Sequence, residues 1–404
     1  MNDKSKQPKE YDLVLGGNNP PPTDGLVLGG IEGVKQRLAS DNVEVRIEAL
    51  KNALKYDNEG LDLIIKALED KSNLVKKSAY LHLKQINQPK IQKTIESYNL
   101  YSFFTPLFTV EGHCRVNEHS ITLSEFAISP DNKTLVTYST NETIKLWDLQ
   151  NGELIKTYTY SKQGGSFGAA IIISPDGYKC YIGYTNNRIE EIDLKTGNIL
   201  RTLGGKVRYV RCLAISSDGN TLIAGSKEKD VEIWDLQTGT SDRLGNKSWY
   251  VKFVDISFDN KIAISQSRSA IKVWNLETKE LLHILDSNQS LCIGGKISLD
   301  SKTVVGINNN IVQHWSLETG KLINTFKLDI RHAENFIFSQ DCKIALGVDM
   351  FPGTIKIFNW HTGELIKALK GNLQHRPKSI ALSKDEETIV TGGRDGTIQI
   401  WGIR

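Results

Sequence analysis

The stretch SPDNKTLVTYSTNETIKLWD, residues 129–148, holds the pattern that decides the fold. Its Ser-x-Asp corner follows an apolar run, and a tryptophan closes a short alternating run 18 residues after the serine. The corner occurs seven times, with successive serines 45, 42, 41, 41, 41 and 44 residues apart. These serines are Ser129, Ser174, Ser216, Ser257, Ser298, Ser339 and Ser383. The chain beyond about residue 120 is therefore built from seven repeats.

A second mark shares this period. One large apolar residue stands 17 to 19 residues after each serine: Trp147, Ile192, Trp234, Trp274, Trp315, Phe358 and Trp401. Runs inside a unit are short, rich in β-branched and aromatic residues, and bounded by Asn, Asp and Gly, which predicts strands. A further corner ending in Thr-Gly, as at Thr196-Gly197, follows the large residue in four repeats. Each unit therefore has four strands.

The pattern resembles that of WD repeats over residues 104 to 404. Trp147-Asp148 and Trp234-Asp235 match the dipeptide that names these repeats, whereas Trp274-Asn275 and Trp315-Ser316 depart from it. The resemblance implies a mainly β fold, a seven-bladed WD-repeat β-propeller. It also implies a structural, hydrogen-bonded set in each blade, for which the last blade keeps His375, Thr391, Asp395 and Trp401.

The last repeat ends after its third strand, and an earlier segment resembles the missing fourth. Residues 107–113 carry an apolar run with a Gly-His end, ahead of the first complete unit. We therefore expect the strand near 105–111 to pair into the last blade and close the ring, since closure removes a free sheet edge.

Residues 1–100 do not follow the repeat pattern. Residues 1–30 combine Pro20-Pro21-Pro22 with a duplicated Leu-Val-Leu-Gly-Gly, which predicts a flexible Gly/Pro-rich arm. Residues 31–100 show helix period, predicting three or four amphipathic helices, with Asp41 and Glu44 as a capping box. This stretch resembles the HEAT-like helical domain that precedes effector modules in many cyanobacterial proteins.

Composition argues against several classes of protein. Fifty basic against 47 acidic side chains leave a charge of only +3, so nucleic acid is not the expected partner. The chain shows neither a long apolar span nor a signal peptide, which predicts a cytoplasmic protein without membrane insertion. Five scattered cysteines indicate neither a disulfide framework nor a zinc site. We found no motif for catalysis, a cofactor or a metal, and expect no enzyme.

A candidate binding surface lies at the top face, the end of the propeller where each innermost strand begins. The residue seven before each corner serine falls there, and it is aromatic in three consecutive blades: Phe167, Tyr209 and Tyr250. Beside them stand Arg208, Arg211, Trp249 and Lys252. Aromatic and Arg side chains are typical hot-spot residues, so we hypothesise that blades two to four bind an extended acidic peptide. The alternative is that these rings pack between blades.

The predicted function is a non-catalytic scaffold or adaptor that binds other proteins on the propeller top face and through the helical domain. A regulatory sensor that binds a small ligand or modified peptide in the central channel is the alternative. A propeller enzyme with an unrecognised site is a further one, although a fold by itself does not specify a reaction.

Overall fold

The computed structural model describes most of the chain from residue 29 onward. The described ranges are 29–98, 100–112, 123–139, 143–160, 168–186, 188–204, 209–226, 231–245, 250–267, 270–286, 292–308, 310–330, 333–339, 342–349, 353–360, 362–370, 377–393 and 396–403. These residues form two compact units. One is helical, reaches Phe104 and also includes Ile403, and the other is built of strands from Thr105 to Gly402. Nearly all of the predicted Gly/Pro-rich arm lies outside the described residues.

Five α-helices, rather than three or four, make up the described helical region. They are α1 (Gly30–Leu38), α2 (Val43–Ala53), α3 (Asp57–Lys66), α4 (Asn73–Lys84) and α5 (Pro89–Ser97). Their shared core includes Val34, Leu50, Ile64 and Leu83, each fully buried. The helix count was underestimated because α1 and α5 have only nine residues each, which is too short for a clear helical period.

The predicted capping box of the second helix is wrong. The N-cap is Asn42, whose side chain accepts the backbone N–H groups of Glu44 at 2.8 Å and Val45 at 3.4 Å. The Asp41 carboxylate instead pairs with Lys71 at 2.8 Å. Asn and Asp are equally good N-caps, so the sequence could not distinguish adjacent candidates.

The predicted seven-bladed β-propeller is confirmed, and each blade is one four-stranded antiparallel sheet. Blade 1 holds β2 (Leu123–Ile128), β3 (Thr134–Ser139), β4 (Thr143–Asp148) and β5 (Leu154–Thr159). Blade 2 holds β6 (Gly168–Ile173), β7 (Lys179–Tyr184), β8 (Arg188–Asp193) and β9 (Ile199–Gly204). Blade 3 holds β10 (Val210–Ile215), β11 (Thr221–Ser226), β12 (Val231–Asp235) and β13 (Ser241–Leu244). Blade 4 holds β14 (Phe253–Ile256), β15 (Ile262–Gln266), β16 (Ala270–Asn275) and β17 (Leu281–Asp286).

The remaining blades follow the same order, from the innermost to the outermost strand. Blade 5 holds β18 (Cys292–Ile297), β19 (Thr303–Asn308), β20 (Ile311–Ser316) and β21 (Leu322–Lys327). Blade 6 holds β22 (Ala333–Phe338), β23 (Ile344–Asp349), β24 (Thr354–Asn359) and β25 (Leu365–Leu369). Blade 7 holds β26 (Pro377–Leu382), β27 (Ile389–Gly393), β28 (Thr397–Gly402) and β1 (Thr105–Glu111).

The ring closes in blade 7. The outermost strand β1 pairs antiparallel with β28, from Thr105 opposite Gly402 to Glu111 opposite Thr397. Innermost strands contact their neighbours around the ring, and β26 of blade 7 meets β2 of blade 1. The first and last strands of the propeller therefore share one sheet.

Six Ser-x-Asp corners lie wholly within the described residues, and each is a hydrogen-bonded turn between the first and second strands of its blade. In blade 4 the Ser257 hydroxyl donates to the Asp259 carboxylate at 2.6 Å and accepts the N–H of Ile262 at 2.9 Å. In blade 1 the Ser129 hydroxyl and the backbone N–H of Lys133 hold the pKa of Asp131 below its usual range. These corners are fixed by their own side chains, which explains why the triplet marks every repeat.

The residue three after each corner serine has a left-handed backbone and reaches the previous blade. Asn260 accepts the N–H of Ser217 at 2.9 Å, and Asn132 accepts the N–H of Lys384 at 2.7 Å. Where the preceding corner carries proline, which has no N–H to donate, the residue in this place is glycine. The two Pro/Gly pairs are Pro130 with Gly177 and Pro175 with Gly219. The corners thus connect neighbouring blades.

Large apolar residues fill the interior of the blades. Trp147, Trp234, Trp274, Trp315 and Trp401 are all at most 5% exposed. The aspartates that follow two of them end the third strand by accepting backbone N–H groups. Asp148 accepts from Gln150 at 2.7 Å, and Asp235 accepts from Gln237 at 2.8 Å.

Tryptophan indoles donate to a hydroxyl on the second strand of the same blade. Trp147, Trp274 and Trp401 donate through Nε1 to Thr137, Ser265 and Thr391 at 3.0, 2.8 and 3.2 Å. In blade 3 the same register position is Ala224, and the buried Nε1 of Trp234 has no partner among the described residues. His375 and Asp395, the other predicted members of the blade 7 set, lie outside the described ranges.

Ala224→Ser is expected to stabilise the propeller by about 1 kcal/mol, because the new hydroxyl accepts the unpaired indole N–H. Equilibrium unfolding in urea measures the change in the free energy of unfolding. Ala345→Ser is the control, since Ala345 is equally buried on the second strand of blade 6, where Phe358 replaces the tryptophan and its side chain has no N–H to donate. Equal losses of stability in both variants would contradict this explanation.

Candidate functional site

A duplicated Tyr-Val-basic segment begins the innermost strands of blades 3 and 4. Tyr209-Val210-Arg211 and Tyr250-Val251-Lys252 lie 41 residues apart. The central valines are buried, and each inserts against a glycine of the preceding blade. A Cβ on Gly183 would lie 2.3 Å from Val210 Cγ1, and one on Gly225 would lie 2.5 Å from Val251 Cγ1. These glycines therefore let the valines anchor the two segments.

The anchoring places both tyrosines in an unusual backbone conformation. Tyr209 has φ of 58° and Tyr250 has φ of 48°, a region that bulky residues rarely occupy. Such backbone strain costs about 1–3 kcal/mol and persists where the surroundings impose it, often at binding sites. Tyr209 is 43% exposed and Tyr250 is partly buried. At least the Tyr209 ring is thus accessible from solvent and is not fully packed between blades.

A β-bulge directs Arg211 to the surface. The register of β10 against β11 shifts between Val210 and Cys212, leaving Arg211 without a partner on the second strand. Bulges commonly redirect a side chain in this way. The exposed guanidinium reaches blade 4, where Nη1 donates to the Tyr250 hydroxyl at 2.9 Å and Cζ lies 5.1 Å from the ring centroid. Arg211 therefore bridges the two blades.

Lys252 occupies the corresponding position in blade 4, five residues before its corner serine. Its backbone N–H donates to the Gln266 carbonyl at 2.9 Å, and the N–H of Val251 donates to the Ser226 carbonyl of blade 3 at 2.8 Å. Within the part of the chain that the structure describes, neither Arg211 nor Lys252 forms an ion pair. We call the four residues Tyr209, Arg211, Tyr250 and Lys252 the blade 3–4 patch.

The structure brings together four of the seven predicted binding residues. Phe167, Arg208 and Trp249 lie outside the described ranges. The predicted site residues did not include the valine anchors, Gly183, Gly225 or Gln266. The two valines could have been predicted from the sequence, because Tyr-Val-Arg and Tyr-Val-Lys repeat with the period of the blades.

Two buried glutamates of blade 2 are neutralised within the fold. Glu190 accepts from the Tyr184 hydroxyl at 2.7 Å and lies 3.2 Å from Arg188. The neighbouring Glu191 binds Arg201 and, at 2.8 Å, Lys179. Among the described residues, no cluster of three or more His, Cys, Asp and Glu side chains could hold a metal ion.

The thiols of Cys180 and Cys212 are kept protonated by burial. Burial raises the pKa of Cys180 to about 12, and burial likewise raises that of Cys212 to about 12. Since the thiolate is the nucleophilic form, neither thiol is activated at neutral pH.

Comparison with known families agrees with the repeat pattern. Three segments, residues 104–148, 197–235 and 363–402, match the family model of the WD40 repeat, described as WD domain, G-beta repeat. The chain therefore carries WD40 repeats in a seven-bladed propeller. In the helices that the structure describes, none is long and apolar enough to cross a membrane.

Similar proteins share the repeats at modest identity. Autophagy-related protein 16 of Arabidopsis thaliana is 24% identical over 166 residues, which cover 39% of this chain and 32% of that protein. U3 small nucleolar RNA-associated protein 12 of Saccharomyces cerevisiae is 24% identical over 40% of this chain and 16% of its own length. The WD repeat-containing protein 26 homolog of Arabidopsis thaliana is 27% identical, with shares of 37% and 25%. The chain thus spans at most about a third of these relatives.

Proposed function

We propose that this protein is a non-catalytic scaffold of the cytoplasm, whose propeller binds partner proteins through the blade 3–4 patch. The observation that carries the proposal is the duplicated Tyr-Val-basic segment, with two strained tyrosines beside two basic side chains. Tyr buries much surface for little lost rotamer freedom, and Tyr and Arg are both enriched among the residues that dominate binding energy in protein interfaces. The WD40 repeats support the same reading, and none of the three relatives is named for a chemical reaction.

The neutralised carboxylates support a binding rather than a catalytic role. A general acid or base must reach a substrate proton directly or through one water. Glu190 and Glu191 are at most 4% exposed, and each is occupied by its own cationic partners. Neither side chain is free for proton transfer.

We further propose that residues 31–100 form a HEAT-like domain of the kind found in cyanobacterial multidomain proteins, and that residues 104–404 form the propeller domain. Pairwise packing of α1 with α2 and of α3 with α4 around one core supports the first assignment. Leu54 and Leu74, 41% and 38% exposed, offer apolar surface for a second partner contact.

Affinity capture from native lysate tests the proposed function. Tyr209→Gly combined with Tyr250→Gly removes both rings while relieving the left-handed backbone, so the fold is retained. We expect the variant to lose partners by about tenfold or more, as is usual for hot-spot aromatics. Tyr178→Gly is the matched control. Tyr178 is 71% exposed and follows the Ser-x-Asp corner of blade 2, which is not part of the patch. Partners held equally by all three proteins would exclude the patch.

A further inference from the structure

We infer that the segment bound by the blade 3–4 patch is an extended acidic stretch of a partner protein, and that Arg211 is the residue that receives its carboxylate. This inference rests on the proposed function and adds the chemistry of the partner. Two features of the patch carry it, the fixed orientation of one guanidinium and two cations without a described counterion, and an unsatisfied amide on the strand beside Lys252 accompanies them.

The Arg211 guanidinium is oriented before any ligand arrives. Guanidinium carries five N–H donors in a planar fork that matches a carboxylate. Tyr250 takes one donor of Nη1 through its hydroxyl, and its ring lies beside the group. The side chain is exposed, and its other donors have no hydrogen-bond partner among the described residues, which leaves them for a ligand. Binding then costs less conformational entropy than it would for a free arginine.

Among the described residues, Arg211 and Lys252 lack the carboxylate partner that several other basic side chains of the propeller have. Arg188, Arg201, Lys279, Lys296 and Lys356 each have a carboxylate oxygen within 4.0 Å. Arg211 and Lys252 do not have one among the described residues, although they stand at equivalent positions on adjacent blades. An unneutralised cation pair attracts an anion and sets the orientation of a partner.

A buried amide belongs to Gln266, the residue whose backbone pairs with that of Lys252. Gln266 is fully buried, and neither its Nε2 nor its Oε1 has a hydrogen-bond partner in the described structure. Its backbone carbonyl already accepts from Lys252. Next to it, blade 5 carries Gly295, where an added Cβ would lie 3.6 Å from Oε1. An unsatisfied buried amide costs about 1–3 kcal/mol and native structures keep few of them, which marks this part of blade 4 as unusual.

The number of cations distinguishes an acidic peptide from nucleic acid. Proteins that bind duplex DNA through its phosphates commonly make about 6–10 such contacts. The patch offers two described cations, and the chain as a whole carries only +3. Two cations beside two tyrosine rings suit a short protein segment with two or three carboxylates. One relative is named for its association with a small nucleolar RNA, so RNA enters the test as a competing outcome.

Fluorescence anisotropy with the full chain tests the inference. The probe is a labelled, N-acetylated octapeptide of alternating glutamate and proline, which is extended and acidic. Its glutamine–proline counterpart is the uncharged control. We expect the glutamate probe to bind at least about tenfold more tightly than the glutamine probe, and to weaken as salt rises.

Two double variants locate the binding. Arg211→Gln with Lys252→Gln is expected to weaken the glutamate probe by about tenfold or more. Lys302→Gln with Lys321→Gln removes the same charge from exposed positions of blade 5 and should change affinity by less than about twofold.

Three results would overturn the inference. These are equal binding of both probes, equal losses in both double variants, and tighter binding of an oligouridylate at the patch. Lysate capture separates the two proposals. Partners lost with the tyrosine variant but fully retained by Arg211→Gln with Lys252→Gln would leave the scaffold function standing and reject the acidic ligand.

Discussion

Deleting Thr105–Glu111 from the full chain is expected to abolish the single cooperative unfolding transition of the propeller. This segment is β1, the outermost strand of blade 7. Without it β28 becomes an edge, and Ile398, Ile400 and Trp401, all fully buried, gain exposure. Large losses of buried apolar contact cost about 2–5 kcal/mol per residue, so the sum reaches the whole stability of an ordinary domain. Differential scanning calorimetry measures the transition.

A deletion of equal length within residues 1–28 is the matched control. Residues 2–8 lie far along the chain from every blade, so their removal should leave the melting temperature of the propeller unchanged. If deleting Thr105–Glu111 also left the melting temperature unchanged, ring closure by β1 would contribute nothing to stability.

Asp70→Ala is expected to destabilise the helical unit by about 3–5 kcal/mol. Arg46 is 2% exposed, and its Nε and Nη2 lie 3.0 and 3.1 Å from the two Asp70 oxygens. Nη1 donates to the carbonyls of Ser40 and Asp41. Removing Asp70 leaves a buried guanidinium without its counterion. Urea unfolding followed by circular dichroism at a helix wavelength measures the loss.

The control for this ion pair is Asp41→Ala. Asp41 pairs with Lys71 at 2.8 Å, but both side chains are at least 70% exposed, so water and salt screen the interaction. We expect no measurable change in the free energy of unfolding. Similar losses for Asp41→Ala and Asp70→Ala would show that burial does not decide the strength of these pairs.

The blade architecture was predictable because each repeat carries its own turn chemistry. The Ser-x-Asp corners bond within themselves, so their spacing counts the blades without reference to neighbours. The Thr-Gly corner is found in only four repeats, although the turn that it marks is also made without this dipeptide. In blade 4 Lys279 adopts the left-handed conformation, with φ of 62°, in place of the glycine that the pattern seeks.

The candidate site was predictable only in part. The distance of each residue from its corner serine predicted that Tyr209, Tyr250, Arg211 and Lys252 lie close together. Equivalent positions of adjacent blades are neighbours in a propeller. The bond between Arg211 and Tyr250 depends on the register of one blade against the next, which no local pattern encodes. The same holds for the valines that insert against Gly183 and Gly225. Contacts between blades are therefore what the structure adds.

Hydrogen–deuterium exchange of the full chain, with and without a captured partner, tests the proposed binding surface most directly. Binding slows exchange where partner contacts exclude water and stabilise local structure. We predict protection in the peptides that contain Tyr209–Arg211 and Tyr250–Lys252, with no change at the Ser-x-Asp corners on the opposite face. Protection confined to those corners or to the helical unit would contradict a scaffold that binds through blades 3 and 4.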